Sequence, residues 1–286
     1  MIRVLDDLAI NMLEAQDQWD SVTVVRLGMR CMADMEVCRF RDQNCQDKAE
    51  HALFEFMGRA LSRQKEWEKA IQFYDRDIAV SDRIKDFPRK GRCLFSKAEM
   101  QMSMGRYDDA KSVYQAVYDI GEKGGYFELY GKASLGLSRV AKKSGNVEKA
   151  MELAYEAKKA AGLFQDDQWG KNRLEAEAIL SIIRLSDMQA TDFDEELIER
   201  ALLLGAAVDA DPREGGGMLT LQAMELQGQR QMFMGANVES ANTFARLLVH
   251  SKQDRFRQMA DVIAMTARVT EHLTMLVEFG IVDIRV

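Results

Sequence analysis

Three short stretches, "EWEKAI" at Glu66 to Ile71, "RYDDAK" at Arg106 to Lys111 and "NVEKAM" at Asn146 to Met151, return at a fixed interval. Ala70, Ala110 and Ala150 stand 40 residues apart, each three residues after Trp67, Tyr107 or Val147 and four before Tyr74, Tyr114 or Ala154. Two residues ahead of each apolar member lies a turn position, Lys65, Gly105 or Gly145. This spacing describes two helices meeting at a tight bend: the small residue admits the second helix, and the aromatic fills the space between them. A period of this length marks a chain built by stacking units that cannot bury their apolar faces alone.

The flanks fit the same plan. Upstream of each bend, "HALFEFMGRALSRQ", "RCLFSKAEMQMSM" and "KASLGLSRVAKKS" carry apolar residues at helical spacing with Gly58, Ala98 and Ser138 in register, and read as first helices. Downstream, "AIQFYDRDIAVSDRI", "AKSVYQAVYDIGEK" and "AMELAYEAKKAAG" read as second helices. Pro88 opens one unit, and Gly124, Gly125 and Gly162 loosen the chain where others begin. Fainter copies extend the array. "ANVESANTFARLL" places Ala241 where Ala150 stood, "TDFDEELIERALLLG" places Phe193 in the aromatic position and Glu196 in the small one, and "DQWDSVTVVRLGM" offers Trp19 and Val22. The expected units run over 3–46, 49–86, 88–123, 127–162, 169–209 and 216–252, with a capping helix over 254–279, all in one domain, 1–286.

Composition agrees with an all-α chain. Only two prolines occur, Pro88 and Pro212, and the abundant residues are good helix formers; only the final "GIVDIRV" hints at a strand. A hydrophobic content of 47% supports a large core, and a net charge of −7 offers no global attraction to nucleic acid or anionic lipid. Four cysteines and an N-terminus, "MIRVLDDLAINML", without leader character point to a cytoplasmic or other reducing intracellular compartment, and no apolar run is long enough for a membrane span.

On these residues the units resemble tetratricopeptide repeats: Gly58, Trp67, Ala70 and Tyr74, then Ala98, Gly105, Tyr107, Ala110 and Tyr114, then Gly145, Ala150, Ala154 and Ala157. The period resembles the longer repeat variant of rapsyn and LGN-type scaffolds. The resemblance is close over residues 50–162 and implies a right-handed superhelix of about six hairpins. Its concave face, built from first helices, would bind a peptide or partner helix. The asparagine pattern with which chaperone-binding members clamp a C-terminal carboxylate is missing, since Phe56, Ser96, Gly136 and Gln227 occupy those positions.

Catalytic constellations are weak. His51, His250 and His272 lie far apart on helical stretches of different units, which leaves a histidine-based triad or metal site without local support. Cys31, Cys38 and Cys45 are spaced by seven, but a helical rise of about 1.5 Å per residue separates neighbours too widely for one zinc ion. They read as small seam residues, with Cys45 past the end of the helix. "REGGGM" at Arg213 to Met218 follows no strand and lacks the Gly-Lys-Ser/Thr of a phosphate loop. The pairs Asp108-Asp109 and Asp166-Asp167 belong at helix starts, where acids favour the positive end of the helix dipole. Trp19 and Trp67 read as core, and Trp169 as a staple at the start of the fifth unit. No catalytic residue, metal or cofactor is expected.

The family register places groove-facing positions at Glu55, Arg59, Ser62 and Arg63, at Phe95, Glu99 and Met102, at Leu135, Arg139, Lys142 and Lys143, and at Leu226, Arg230 and Phe233. Arg59, Arg139 and Arg230 are expected at one repeated place, as a basic stripe on an acidic protein. The expected function is a non-enzymatic scaffold or adaptor that holds an acidic or amphipathic protein segment. The alternatives are a structural subunit that meets its neighbours, or copies of itself, through its convex face and ends, and, less favoured, a helical enzyme.

Overall fold

The computed structural model describes residues 21–37, 42–164, 167–189, 195–210, 218–252 and 260–278. These form twelve helices: α1 Ser21–Val37, α2 Gln43–Arg63, α3 Trp67–Ile84, α4 Phe87–Ser103, α5 Tyr107–Gly124, α6 Phe127–Lys143, α7 Val147–Leu163, α8 Gln168–Gln189, α9 Glu195–Asp209, α10 Leu219–Phe233, α11 Asn237–Ser251 and α12 Ala260–Glu278. No strand occurs among the described residues, and "GIVDIRV" lies outside them. The helices belong to two compact units, Met1–Ser144 and Gly145–Val286.

In the first unit each helix packs on the next in sequence, α1 on α2 through to α5 on α6, and α4 also touches α6. That last contact sets first helices side by side. The second unit repeats the scheme from α7 to α12, with α8 against α10.

The bends fall where the repeat places them. Lys65 (φ 61°), Gly105 (φ 76°), Gly145 (φ 78°) and Gly235 (φ 77°) are all left-handed, so the chain leaves one helix and turns at once into the next. The turns are closed by backbone hydrogen bonds from Glu66 to Leu61 at 3.0 Å, Arg106 to Gln101 at 2.9 Å and Ala236 to Gln231 at 2.8 Å. Between hairpins, Lys85 (φ 57°) and Gly125 (φ 69°) do the same work 40 residues apart. Side-chain caps start several helices: Asp42 accepts from the Cys45 N–H, Asp86 from Arg89 just after Pro88, and Asn146 from Lys149.

The packing explains the small-and-aromatic spacing. Ala70, Ala110 and Ala150 are fully buried, and Ala241 is nearly so. A Cβ on Gly58 would stand 2.8 Å from the Tyr74 ring, and one on Gly228 would stand 2.3 Å from the Phe244 ring. Tyr114, itself fully buried, lies against Gly136 of the following first helix in the same way.

The faint copies depart from expectation in register. Val22 is 68% exposed, and Val24, Gly28 and Cys31 face α2 instead, Gly28 against Met57. In α9, Glu196 is exposed while Ile198 and Ala201 are buried against α8 and α10. Residues 43–46, expected to close the first unit, begin α2. Trp19, Phe193, Cys38, Asp166 and most of "REGGGM" lie outside the described residues.

Candidate interaction surface

Arg59, Glu99 and Arg139 each follow the small residue of their first helix, Gly58, Ala98 and Ser138, and so share one place on α2, α4 and α6. Arg139 reaches across from α6 to α4. Its Nη1 donates to Glu99 Oε2 at 3.1 Å and its Nη2 donates to Oε1, forming the two-pronged pair that guanidinium geometry favours. The Tyr114 hydroxyl donates to the same Oε1, and the guanidinium carbon lies 6.0 Å from the Tyr114 ring centroid. Phe95 also packs against that ring, tilted, with centroids 5.7 Å apart. Burial, then the Glu99 charge, pushes the Tyr114 phenol well above its ordinary pKa, so it stays a donor.

Arg59 makes a local pair within α2, with Nη2 3.1 Å from Glu55 Oε1. Arg63 and Lys143 are exposed, while Lys142 and Met102 are half-buried. Arg63 lies one turn beyond Arg59 on α2, and Lys142 and Lys143 lie one turn beyond Arg139 on α6, with the acids Glu55 and Glu99 on α2 and α4. Leu135, expected beside them, is 7% exposed and belongs to the core.

In the second unit Phe233 is 80% exposed, with the Arg230 guanidinium 5.8 Å from its ring centroid. The register differs from the expected stripe. Gly228 precedes Phe244 by the same 16 residues that separate Gly58 from Tyr74, so Gln229 takes the place of Arg59 and Arg230 lies one position beyond. The repeated place thus carries Arg59, Glu99, Arg139 and Gln229. Leu226 is part of the core among α8, α9 and α10.

One cluster was not visible in the sequence. His51 Nδ1 lies 2.5 Å from Asp77 Oδ1, His51 Nε2 lies 3.1 Å from Glu55 Oε2, and the Cys93 thiol donates to Asp77 Oδ2 at 3.1 Å. The Asp77 side chain is fully buried. Burial alone would lower the imidazole pKa, but the bonds to Asp77 and Glu55 outweigh it and leave His51 above its ordinary value. With carboxylate oxygens facing both ring nitrogens, the contacts favour the imidazolium form, in which both nitrogens carry hydrogen. The arrangement is not a nucleophile and base, because Asp77 stands between Cys93 and His51 and burial pushes the thiol pKa far up. It is a buried clamp joining α2, α3 and α4.

The remaining expected residues have structural roles. Cys31 is buried between α1 and α2, and Cys45 sits in the first turn of α2, past the end of α1. His272 stacks on Phe244 at 5.7 Å. Asp108 and Asp109 occupy the first turn of α5, and Asp167 accepts from the Trp169 and Gly170 N–H groups at the start of α8. Trp67 packs in the core beside Ala70, and the Trp169 indole N–H donates to Val208 O at 3.3 Å, tying α8 to α9. Among the described residues no group of three His, Cys, Asp or Glu side chains is arranged to hold a metal ion, and no helix is long and apolar enough to cross a membrane.

Helical hairpins joined by left-handed bends, with first helices side by side, define a tetratricopeptide-like helical repeat fold. The tetratricopeptide repeat profile itself matches residues 52–86, spanning most of α2 and all of α3. Among solved structures, the apo form of RapI is similar with a TM-score of 0.58 at 10% identity, over 95% of this chain and 99% of that one. BtubC (BKLC) from P. vanneervenii is similar with a TM-score of 0.58 at 15% identity, over 78% and 87%. A Rap protein complexed with competence and sporulation factor gives a TM-score of 0.59 at 12% identity, over 95% and 74%. At these identities the likeness is one of fold. A comparison with curated protein sequences finds no match.

Proposed function

We propose that the protein is a non-enzymatic scaffold that holds a segment of a partner protein on its first helices, and that the segment is acidic with apolar side chains. The observation that carries this reading is the fixed position of Arg139. Its guanidinium is held by Glu99 and Tyr114 while the side chain remains 45% exposed, so it is oriented before any ligand arrives. Arg59, Arg63, Lys142 and Lys143 add positive charge around it, and Phe95 and Met102 supply apolar contact. A Rap protein of similar fold has been seen in complex with competence and sporulation factor, which supports the fold as a holder of other molecules.

A second reading, a structural subunit docked through its outer helices, is favoured by Leu203, Val238 and Val249, which are 57–69% exposed on α9 and α11. Affinity capture followed by lysine crosslinking and mass spectrometry separates the two. Crosslinks from Lys142 and Lys143 to the partner support the groove reading. Crosslinks confined to second-helix lysines such as Lys111 and Lys149 would transfer the function to the outer face.

A further inference from the structure

In the second unit, three first helices bring two guanidinium groups towards one carboxylate. Arg268 of α12 takes Glu225 of α10, with Nε at 2.9 Å and Nη2 at 2.7 Å from Oε1, and the Glu225 side chain is only 9% exposed. Arg184 of α8 is left with a neutral partner, its Nη2 donating to Gln222 Oε1 at 3.0 Å. Burial depresses its pKa, and the nearby Arg268 charge adds to the effect against the partial relief from Glu225. A guanidinium has five N–H donors, and a half-buried cation with one neutral hydrogen bond is an expensive arrangement for a fold to keep. Arg173 and Arg200, by contrast, each hold a glutamate within the same unit.

We propose that Arg184, with Gln222 beside it, is a receptor for a carboxylate of a bound protein segment lying across α8, α10 and α12. The proposal rests on the reading that first helices hold the partner, and adds a second, chemically defined contact in the second unit. Among the residues named, the two positive charges of Arg184 and Arg268 face the single negative charge of Glu225. Arg184 offers a donor fork that a carboxylate can accept in the bidentate manner, and Gln222 fixes the plane of the fork through its hydrogen bond. The carboxylate can come from an acidic side chain or from a chain terminus.

The test titrates the full chain calorimetrically at low salt with three short peptides. One is a leucine-containing oligoglutamate with an amidated end, the second is its glutamine counterpart with an amidated end, and the third is the glutamine peptide with a free C-terminal carboxylate. Binding of either carboxylate-bearing peptide at least about tenfold tighter than the glutamine amide, with that margin lost in Arg184→Gln, is the expected result, and the peptide that shows it identifies the source. A shift of the Arg184 Nε–H resonance on adding the same peptide to the wild-type chain reads the contact without any substitution. Arg184→Gln should keep or raise the thermal midpoint, because it removes an undercompensated charge; a purely structural arginine would lower it. The proposal is overturned if no carboxylate peptide outbinds the glutamine amide, or if Arg184→Gln binds equally and the resonance stays still. If affinity is instead lost in Arg59→Glu/Arg139→Glu alone, the first-unit groove stands and the second-unit site falls.

Discussion

Gly58 lies directly beneath the Tyr74 ring, 2.8 Å from the place its Cβ would occupy to Tyr74 Cε1, and Tyr74 is 4% exposed. The pair sets how closely α2 and α3 approach, and Gly228 under Phe244 repeats it. Gly58→Ala and Gly228→Ala should each lower stability by about 1–3 kcal/mol through overpacking, more than the helix propensity gained. Gly162→Ala is the control, because a Cβ there meets nothing within 4 Å, and it should be neutral or stabilising. Urea denaturation midpoints check the three variants.

Lys65 holds the left-handed bend that Gly105 and Gly145 hold in the next two repeats. A residue with a Cβ pays about 1–2 kcal/mol for that conformation. Lys65→Gly should therefore stabilise the first unit by about 1 kcal/mol, and Gly105→Lys should destabilise it by a similar amount. Equal midpoints for both variants and the wild type would contradict the bend geometry.

The His51 clamp makes the first unit sensitive to pH. The folded pKa of His51 is raised, so its contribution is fully present below the unfolded value of about 6.5 and fades as pH rises through the folded value. Glu55 titrates in the opposite sense: its hydrogen bond to His51 lowers its pKa against the effect of burial, and its contribution is lost as pH falls through that lowered value. Arg89 opposes the imidazolium and assists the carboxylate. Stability should be greatest between the two titrations and decline towards alkaline pH. His51→Gln should flatten the alkaline decline in urea midpoints, and an unchanged slope would show that the clamp is not charged.

The hairpins were legible because their signal is local. Ala110 and Tyr114 are four residues apart on one helix, and Gly105 stands just before it, so one window of sequence contains the whole joint. The clamp was not legible, since His51, Asp77 and Cys93 sit on three helices and no periodicity brings a histidine, an aspartate and a cysteine to one point. Arg184 and Gln222 are hidden for the same reason: their contact spans 38 residues. Arg59 and Arg139 share a repeat position because the central repeats keep a constant 40-residue period. Arg230 falls one residue off that position because the period lengthens beyond them, and a slip of one turns a helical residue about a quarter of the way round. Val22 lies off register in the same way, with Val24 buried in its place.

The proposed function requires a partner segment to lie against Arg139. Once crosslinking has defined that segment, the direct measurement is its affinity for wild-type and Arg139→Glu chains at low and physiological salt. Charge reversal should weaken binding by about 2–5 kcal/mol if the contact is buried, and wild-type affinity should fall as salt screens charges beyond about 8–10 Å. Equal affinity for wild type and for a chain with Arg59, Arg139 and Arg230 all changed to Glu, with helicity intact by circular dichroism, would contradict the account.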